Sequence, residues 1–288
     1  MILNLLIASA AALMWGGIYF LFYRRYRNGT KRSAEMIIAE QAAALAWSEE
    51  QLGKLVRQHP ASPAALRAYA ERALKDQSWP EALRRAEAYR DAAPRDGHAW
   101  NLVVRALRAQ KQEAEAEAAL AKALRRLPKN FELLQMCAHA ARDRQDWPQA
   151  LAALEKLRRS HPDRHEGYTG GVDMLLRAGE PEAARAVLAE ALRRFPDRPE
   201  ALACAARLAE RLDTPEETLR QWDIAIARCG QNWWLYAGKA AFLGRQGRHD
   251  AQVALLREAK SYFPAAREIG AALEKAETAL GDKPAPAA

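Results

Sequence analysis

Apolar residues follow two regimes along this chain. From Ile2 to Tyr23 the sequence is almost unbroken apolar, with only Asn4 and Ser9 as clearly polar interruptions. At about 1.5 Å of rise per residue that length is enough for a hydrocarbon core of about 30 Å, so the pattern predicts a transmembrane helix over 1–23. Trp15, Tyr19, Phe20, Phe22 and Tyr23 crowd its C-terminal half, where amphipathic rings favour the headgroup layer. Beyond it the apolar positions recur three or four residues apart, which predicts amphipathic helices nearly to the C-terminus.

The helical regime has a ruler. Pro60, Pro94, Pro128, Pro162, Pro196, Gly230 and Pro264 follow one another at 34-residue spacing. Six residues after the first six of these markers stand Leu66, Trp100, Leu134, Tyr168, Leu202 and Tyr236. Ten residues after them stand Ala70, Val104, Ala138, Val172, Ala206 and Ala240, about one turn further on the same face. A second stripe precedes the later markers by eight residues, at Ala86, Leu120, Leu154, Leu188, Trp222 and Leu256, and by five, at Tyr89, Ala123, Leu157, Ala191, Ala225 and Ala259. Each unit is therefore predicted to be a pair of helices. Neither helix can bury its stripe alone, so neighbouring units must stack.

Turn chemistry keeps the same register. Ser62-Pro63 reads as an N-cap followed by proline at the first helical position, and Thr214-Pro215-Glu216-Glu217 reads as a capping box. Each marker proline is expected to stop the second helix at or before it. Ser33 to the marker at 60 is a long helical stretch, with Leu52 and Leu55 placed as in a second helix. The organisation so predicted is a membrane helix at 1–23, a basic linker at 24–32, a helix and half-unit at 33–62, six full units at 63–266, a covering helix at 267–280 and a short tail at 281–288.

The alternation of large and small residues, the alanines Ala82, Ala116, Ala150 and Ala184 in the second helices, and the closing proline resemble the tetratricopeptide repeat (TPR) family. The resemblance implies an all-α fold: a transmembrane helix followed by an α-solenoid of TPR hairpins. Val104 and Val172 stand where Gly or Ala is usual, Thr218 and Gln252 where a small residue is usual, and Gly230 where Pro is usual. The order of membrane helix, arginines and repeats also resembles the bacterial lipopolysaccharide assembly regulators that carry TPR units, although their paired Cys-x-x-Cys module has no counterpart here. More loosely, it resembles membrane TPR proteins of haem or cytochrome c biogenesis.

Charge refines the picture at two places. Arg24, Arg25, Arg27, Lys31 and Arg32 follow the apolar run at once, whereas a cleaved secretory signal would carry its positive charges first. Positive charge stays cytoplasmic, so a single-pass helix in a bacterial inner membrane with cytoplasmic repeats is expected, contacting lipid through this N-terminal segment. The net charge of +8 is otherwise spread among interleaved acids. Cys137, Cys204 and Cys229 are odd in number and far apart, which suits reduced core residues rather than disulfides.

In proteins of the family that this chain resembles, the first helices line a concave groove for an extended peptide or partner helix. The matching positions are Arg67, Glu71, Asn101, Arg105, Arg108, Gln135, His139, Arg142, Asp173, Arg177, Arg207, Glu210, Arg211, Trp234 and Arg245. The partner-binding set is taken as Arg67, Asn101, Arg105, Arg108, Arg142, Arg177, Arg207, Arg211, Trp234 and Arg245. Forked guanidinium groups suit carboxylates, so a protein partner with an acidic segment is expected, against the alternative that the arginines merely pair one turn apart on a solvated face.

Asn101 matches the carboxylate clamp of some TPR co-chaperones only in part, because Gln135 and His139 stand where Asn or a firm cation would be wanted. Trp100, Tyr168, Trp222 and Tyr236 fall on core positions, which argues against stacking of nucleic acid bases. His161 and His165 flank a helix boundary without the ligand set of a metal centre, and the sequence carries no phosphate loop or nucleophile elbow. No cofactor, no metal and no enzymatic activity are expected. The function class is a membrane-tethered scaffold or adaptor, with a self-assembling homo-oligomeric component of a membrane complex as the alternative.

Overall fold

The computed structural model describes residues 48–281, which form fourteen α-helices. In chain order these are α1 (Glu49–Gln58), α2 (Pro63–Lys75), α3 (Trp79–Ala92), α4 (Gly97–Ala109), α5 (Glu113–Arg126), α6 (Phe131–Asp143) and α7 (Trp147–Ser160). They continue as α8 (Glu166–Ala178), α9 (Pro181–Arg194), α10 (Pro199–Leu212), α11 (Pro215–Cys229), α12 (Trp233–Arg245), α13 (His249–Tyr262) and α14 (Arg267–Gly281). The predicted transmembrane helix and basic linker lie outside the described residues. Among the described residues, no helix is long and apolar enough to cross a membrane.

Even-numbered helices α2 to α12 are the first helices of the sequence units, and odd-numbered ones the second. Helices α3, α5, α7, α9 and α13 all end two residues before a marker proline. The residue between, for example Ala93 at φ −132° and ψ 63°, has left the helical region while its N–H still bonds four residues back. Proline disfavours the helical conformation of the residue before it. Where the marker is Gly230 that restriction is lifted, Cys229 stays helical and α11 runs one residue further.

Capping departs from the sequence reading at one end and adds to it at another. The Thr214 side chain accepts from Glu217 N–H, but the Glu217 carboxylate pairs with Arg220 at 2.7 and 2.8 Å rather than returning to the cap. A forked, charge-assisted pair outweighs the neutral backbone bond. The reciprocal box occurs instead at Ser48 and Gln51, ahead of α1.

The stripes are buried as seats of equal rank. Leu66, Trp100, Leu134, Tyr168, Leu202 and Tyr236 are all below 8 % exposed, and the residues four further on are at most 2 % exposed. The aromatic seats also tie down the marker turn, since Trp100 Nε1–H donates to the Pro94 carbonyl at 3.1 Å. The two valines and Thr218 are accommodated within these seats, and the Thr218 hydroxyl donates to the Thr214 carbonyl at 3.1 Å. Each fully buried leucine contributes about 1.5–3 kcal/mol.

The chain divides between Leu133 and Leu134 into two compact units. In the first, helices α1 to α4 each pack on the next in the chain, and α2 also packs on α4. Leu55 of α1 sits against Ala65 of α2. Arg85 of α3, only 6 % exposed, ties the same end together. Its guanidinium lies 3.5 Å over the Tyr69 ring, donates to Glu49 of α1 at 3.0 Å and to Glu81 at 2.9 Å, and so occupies a polar site inside the packing.

In the second unit α8, α9 and α10 share a cluster built on Val172, Leu188 and Leu208, while α10, α11 and α12 share one built on Leu202, Trp222 and Phe242. Helices α12, α13 and α14 close the last cluster around Tyr236, Leu256 and Ile269. Small residues make these approaches possible. A side chain at Gly238 would stand 2.4 Å from the Trp222 ring, and one at Gly170 would stand 2.8 Å from Leu154 Cδ2, so bulk on the second helix is matched by its absence on the next first helix.

Candidate partner-binding groove

The polar faces of the first helices differ between the two units, and each is built from residues four, seven, eleven, fourteen or fifteen after a marker. In the first unit the face is laced across helices. Arg67 Nε–H donates to Glu71 at 2.9 Å, His98 Nε2 lies 2.8 Å from the same Glu71 oxygen, and His98 Nδ1 lies 3.5 Å from Glu132. Asn101 Nδ2 donates to Glu132 at 3.4 Å, while Asn101 Oδ1 is buried with no partner among the described residues. Hydrogen bonding to Glu71 raises the His98 imidazole above its ordinary range, and the same bond lowers the Glu71 carboxyl. Arg105 is exposed and bonds to none of the described residues, and Arg108 lies 3.8 Å from Glu113.

In the second unit the corresponding face holds two cavities that meet. The first, about 220 Å³, is lined by Gln135, Ala138, His139 and Arg142 of α6, Leu154 of α7, and Glu166, Thr169, Gly170, Asp173 and Met174 of α8. The second, about 420 Å³, is lined by Thr169, Gly170, Asp173 and Arg177 of α8, Glu200 and Arg207 of α10, and Trp234 of α12. Thr169, Gly170 and Asp173 belong to both, so they form one groove across four first helices. Its floor depends on Gly170, which leaves room for Leu154 beneath.

Two of the groove arginines are held by acids of their own helix. Arg177 Nε–H donates to Asp173 at 3.1 Å, and Arg142 donates to Asp143 at 2.8 and 3.0 Å. Arg245 reaches Glu210 at 2.6 Å, and Glu210 also accepts from the Trp222 indole at 3.3 Å. Arg207 donates from Nη2 to Cys204 Sγ at 3.1 Å, leaving its Nε–H buried and without a partner among the described residues. Burial pushes the Cys204 thiol up to about 11, so it accepts this bond as a neutral thiol. Arg211 is exposed and bonds to none of the described residues. Trp233 and Trp234 are both half-buried and point apart: the former joins the Tyr236 cluster, the latter packs beside Trp222 and walls the second cavity.

The structure thus places Arg142, Arg177, Arg207 and Trp234 on one groove, and Arg67, Asn101, Arg105 and Arg108 on first helices of the other unit. Sequence reasoning missed His98, Glu132, Glu166, Thr169 and Glu200. The first, second, third and fifth stand four residues after a marker, a register position that could have been read from the ruler. Among the described residues, no group of three His, Cys, Asp or Glu side chains is placed to hold a metal ion.

Helix hairpins at a strict 34-residue period, with buried aromatic and small-residue seats and a groove on the first helices, define a class of repeat modules built for surface rather than chemistry. The chain belongs to the tetratricopeptide repeat family, whose model matches residues 70–131, 136–199 and 169–232 and so covers more than half of it. No curated protein matches the chain in sequence. Among solved structures it is similar to yeast Tom70, with TM-score 0.62 and 18% identity over 87% of this chain and 52% of that one. The chain therefore spans about half the length of that relative. It is also similar to the C-terminal part of a TPR repeat-containing protein from Cytophaga hutchinsonii, with TM-score 0.59 and 14% identity over 84% of this chain and 98% of that one. PilW, a type IV pilus biogenesis factor, gives TM-score 0.55 and 16% identity over 73% and 98%. At these identities the likenesses establish the fold.

Proposed function

We propose that this chain is a non-catalytic adaptor that docks an extended segment of a partner protein in the groove of α6, α8, α10 and α12, and that its N-terminal apolar run tethers it to a bacterial inner membrane. The groove carries the reading. Two cavities joined at Thr169, Gly170 and Asp173 offer a continuous trough with a half-buried indole at one end, the kind of anchor that dominates protein interfaces.

Acidic residues on the docked segment would meet the outer edge of Arg142 in the groove and the exposed Arg211, one turn along α10 from the lining residue Arg207, while the paired Arg177 contributes shape more than charge. The tether rests on the apolar length and the arginines that follow it, and the cytoplasmic placement of the repeats on the positive-inside rule. An envelope-biogenesis setting is proposed on the same arrangement, which resembles the lipopolysaccharide assembly regulators.

The test uses the full-length chain in native membranes. Arg142→Glu, Arg211→Glu and Trp234→Ala, each with unchanged helical content, should lower the yield of a reproducibly crosslinked partner. Unchanged yield in all three would remove the groove from consideration. Protease access to the repeats from the periplasmic side of spheroplasts would overturn the orientation.

A further inference from the structure

We propose that the cavity walled by α8, α10 and α12 is a subsite for a primary carboxamide, the side chain of a glutamine or asparagine on the docked segment. This rests on the reading of the groove as the partner site. It adds a chemical preference at one position that the excess of arginine in the sequence conceals.

Three observations converge. The lining is balanced in charge, with Asp173 and Glu200 against Arg177 and Arg207, and the Asp173–Arg177 pair is already closed at 3.1 Å. A carboxylate entering the cavity would face two acids, and an ammonium group two guanidiniums. Next, two polar atoms of opposite hydrogen-bonding sense are left over. Arg207 Nε–H is a buried donor and Glu200 Oε2 a buried acceptor, neither with a hydrogen-bond partner among the described residues. Arg198 Nε lies 3.3 Å from Glu200 Oε2 and neutralises it, but without hydrogen-bond geometry. Finally, Trp234 supplies a flat wall beside them, suited to a planar neutral group.

A primary carboxamide answers all three. Its oxygen accepts from Arg207 and its two N–H groups can serve Glu200 and one further acceptor, such as Asp173 or the Thr169 hydroxyl. A main-chain amide brings one N–H and cannot serve both acids. Glu200 lines the cavity and its side chain is 42% exposed, so rotation about its broad terminal torsion lets either carboxylate oxygen meet the docked amide. Leaving such groups unpaired is costly, and that cost is what would make the site discriminate between ligands.

The test is a titration of the full chain in detergent micelles, isotope-labelled at arginine, with N-acetyl-glutamine methylamide, N-acetyl-glutamate methylamide and N-acetyl-alanine methylamide. The Arg207 Nε–H resonance, assigned by its loss in Arg207→Lys, should move with the glutamine compound at a concentration roughly fivefold below that for either other compound. Glu200→Gln replaces one acceptor oxygen by an NH2 donor and removes a negative charge from the lining, and should reverse the order of the glutamine and glutamate compounds. The proposal is overturned if the alanine compound matches the glutamine compound, if glutamate saturates first in the unmodified chain, or if Glu200→Gln leaves the order unchanged. Partner capture that survives Arg142→Glu, Arg211→Glu and Trp234→Ala alike, alongside the reversal, would remove the groove reading and leave the carboxamide subsite standing.

Discussion

The two units use one repeat register and present opposite kinds of face. In the first, the residue eleven after one marker meets the residue four after the next with complementary chemistry: Glu71 holds His98 at 2.8 Å, and His98 reaches on to Glu132. That face is spent on joining its own helices. In the second, the same step sets Asp173 toward Glu200, acid toward acid, and a cavity of about 420 Å³ lies between their helices. The same register thus serves both faces, and a few positions in it decide whether a face is laced by the chain itself or left for another molecule.

The strongest way to break the open face is to remove what holds it up. Trp222→Ala deletes an indole that is 3 % exposed and packs into the space left by Gly238, and should cost about 3–5 kcal/mol in urea unfolding. A loss below about 1 kcal/mol would mean that α11 and α12 do not depend on that seat. In the closed unit the matching device is polar. Arg85→Leu gives up the bonds to Glu49 and Glu81 and the stacking on Tyr69, and should cost about 2 kcal/mol, with early release of α1 visible in hydrogen exchange.

Acid–base behaviour sharpens the contrast further. The imidazole of His98 is raised, first by its hydrogen bond to Glu71 and despite burial and the nearby Arg67. A group raised on folding stabilises fully below its unfolded value, about 6.5, and loses that contribution as pH rises through its folded value. The difference in urea midpoint between the native chain and His98→Gln should therefore shrink from about pH 5 to about pH 9. A difference that grows with pH would contradict the Glu71–His98–Glu132 lacing. The smallest effect is expected at Arg177→Ala, whose partner Asp173 lies one turn away at a 55% exposed guanidinium, with a stability change of at most about 0.5 kcal/mol.

The helices and their core were legible because burial in stacked hairpins forces a period, and prolines and aromatic seats mark it in plain sequence. The turn inside each hairpin was less so. Gln77, Lys111, Gln145, Gly179 and Gly247 all adopt positive φ at one register position, and only the two glycines announce it. The groove was half legible: position along the repeat picked out Arg142, Arg177, Arg207 and Trp234, but not which arginines were already paired. Pairing depends on side-chain reach across helices, as with Arg245 and Glu210, 35 residues apart, and no periodicity records that.

The claim that one face is open and the other closed can be met directly by placing a photo-crosslinking side chain at Thr169 or at Asn101 of the full-length chain in its native cells. The account predicts a discrete crosslinked partner from position 169 and little or none from position 101. Equal crosslinking from both, or a partner captured from 101 alone, would contradict it.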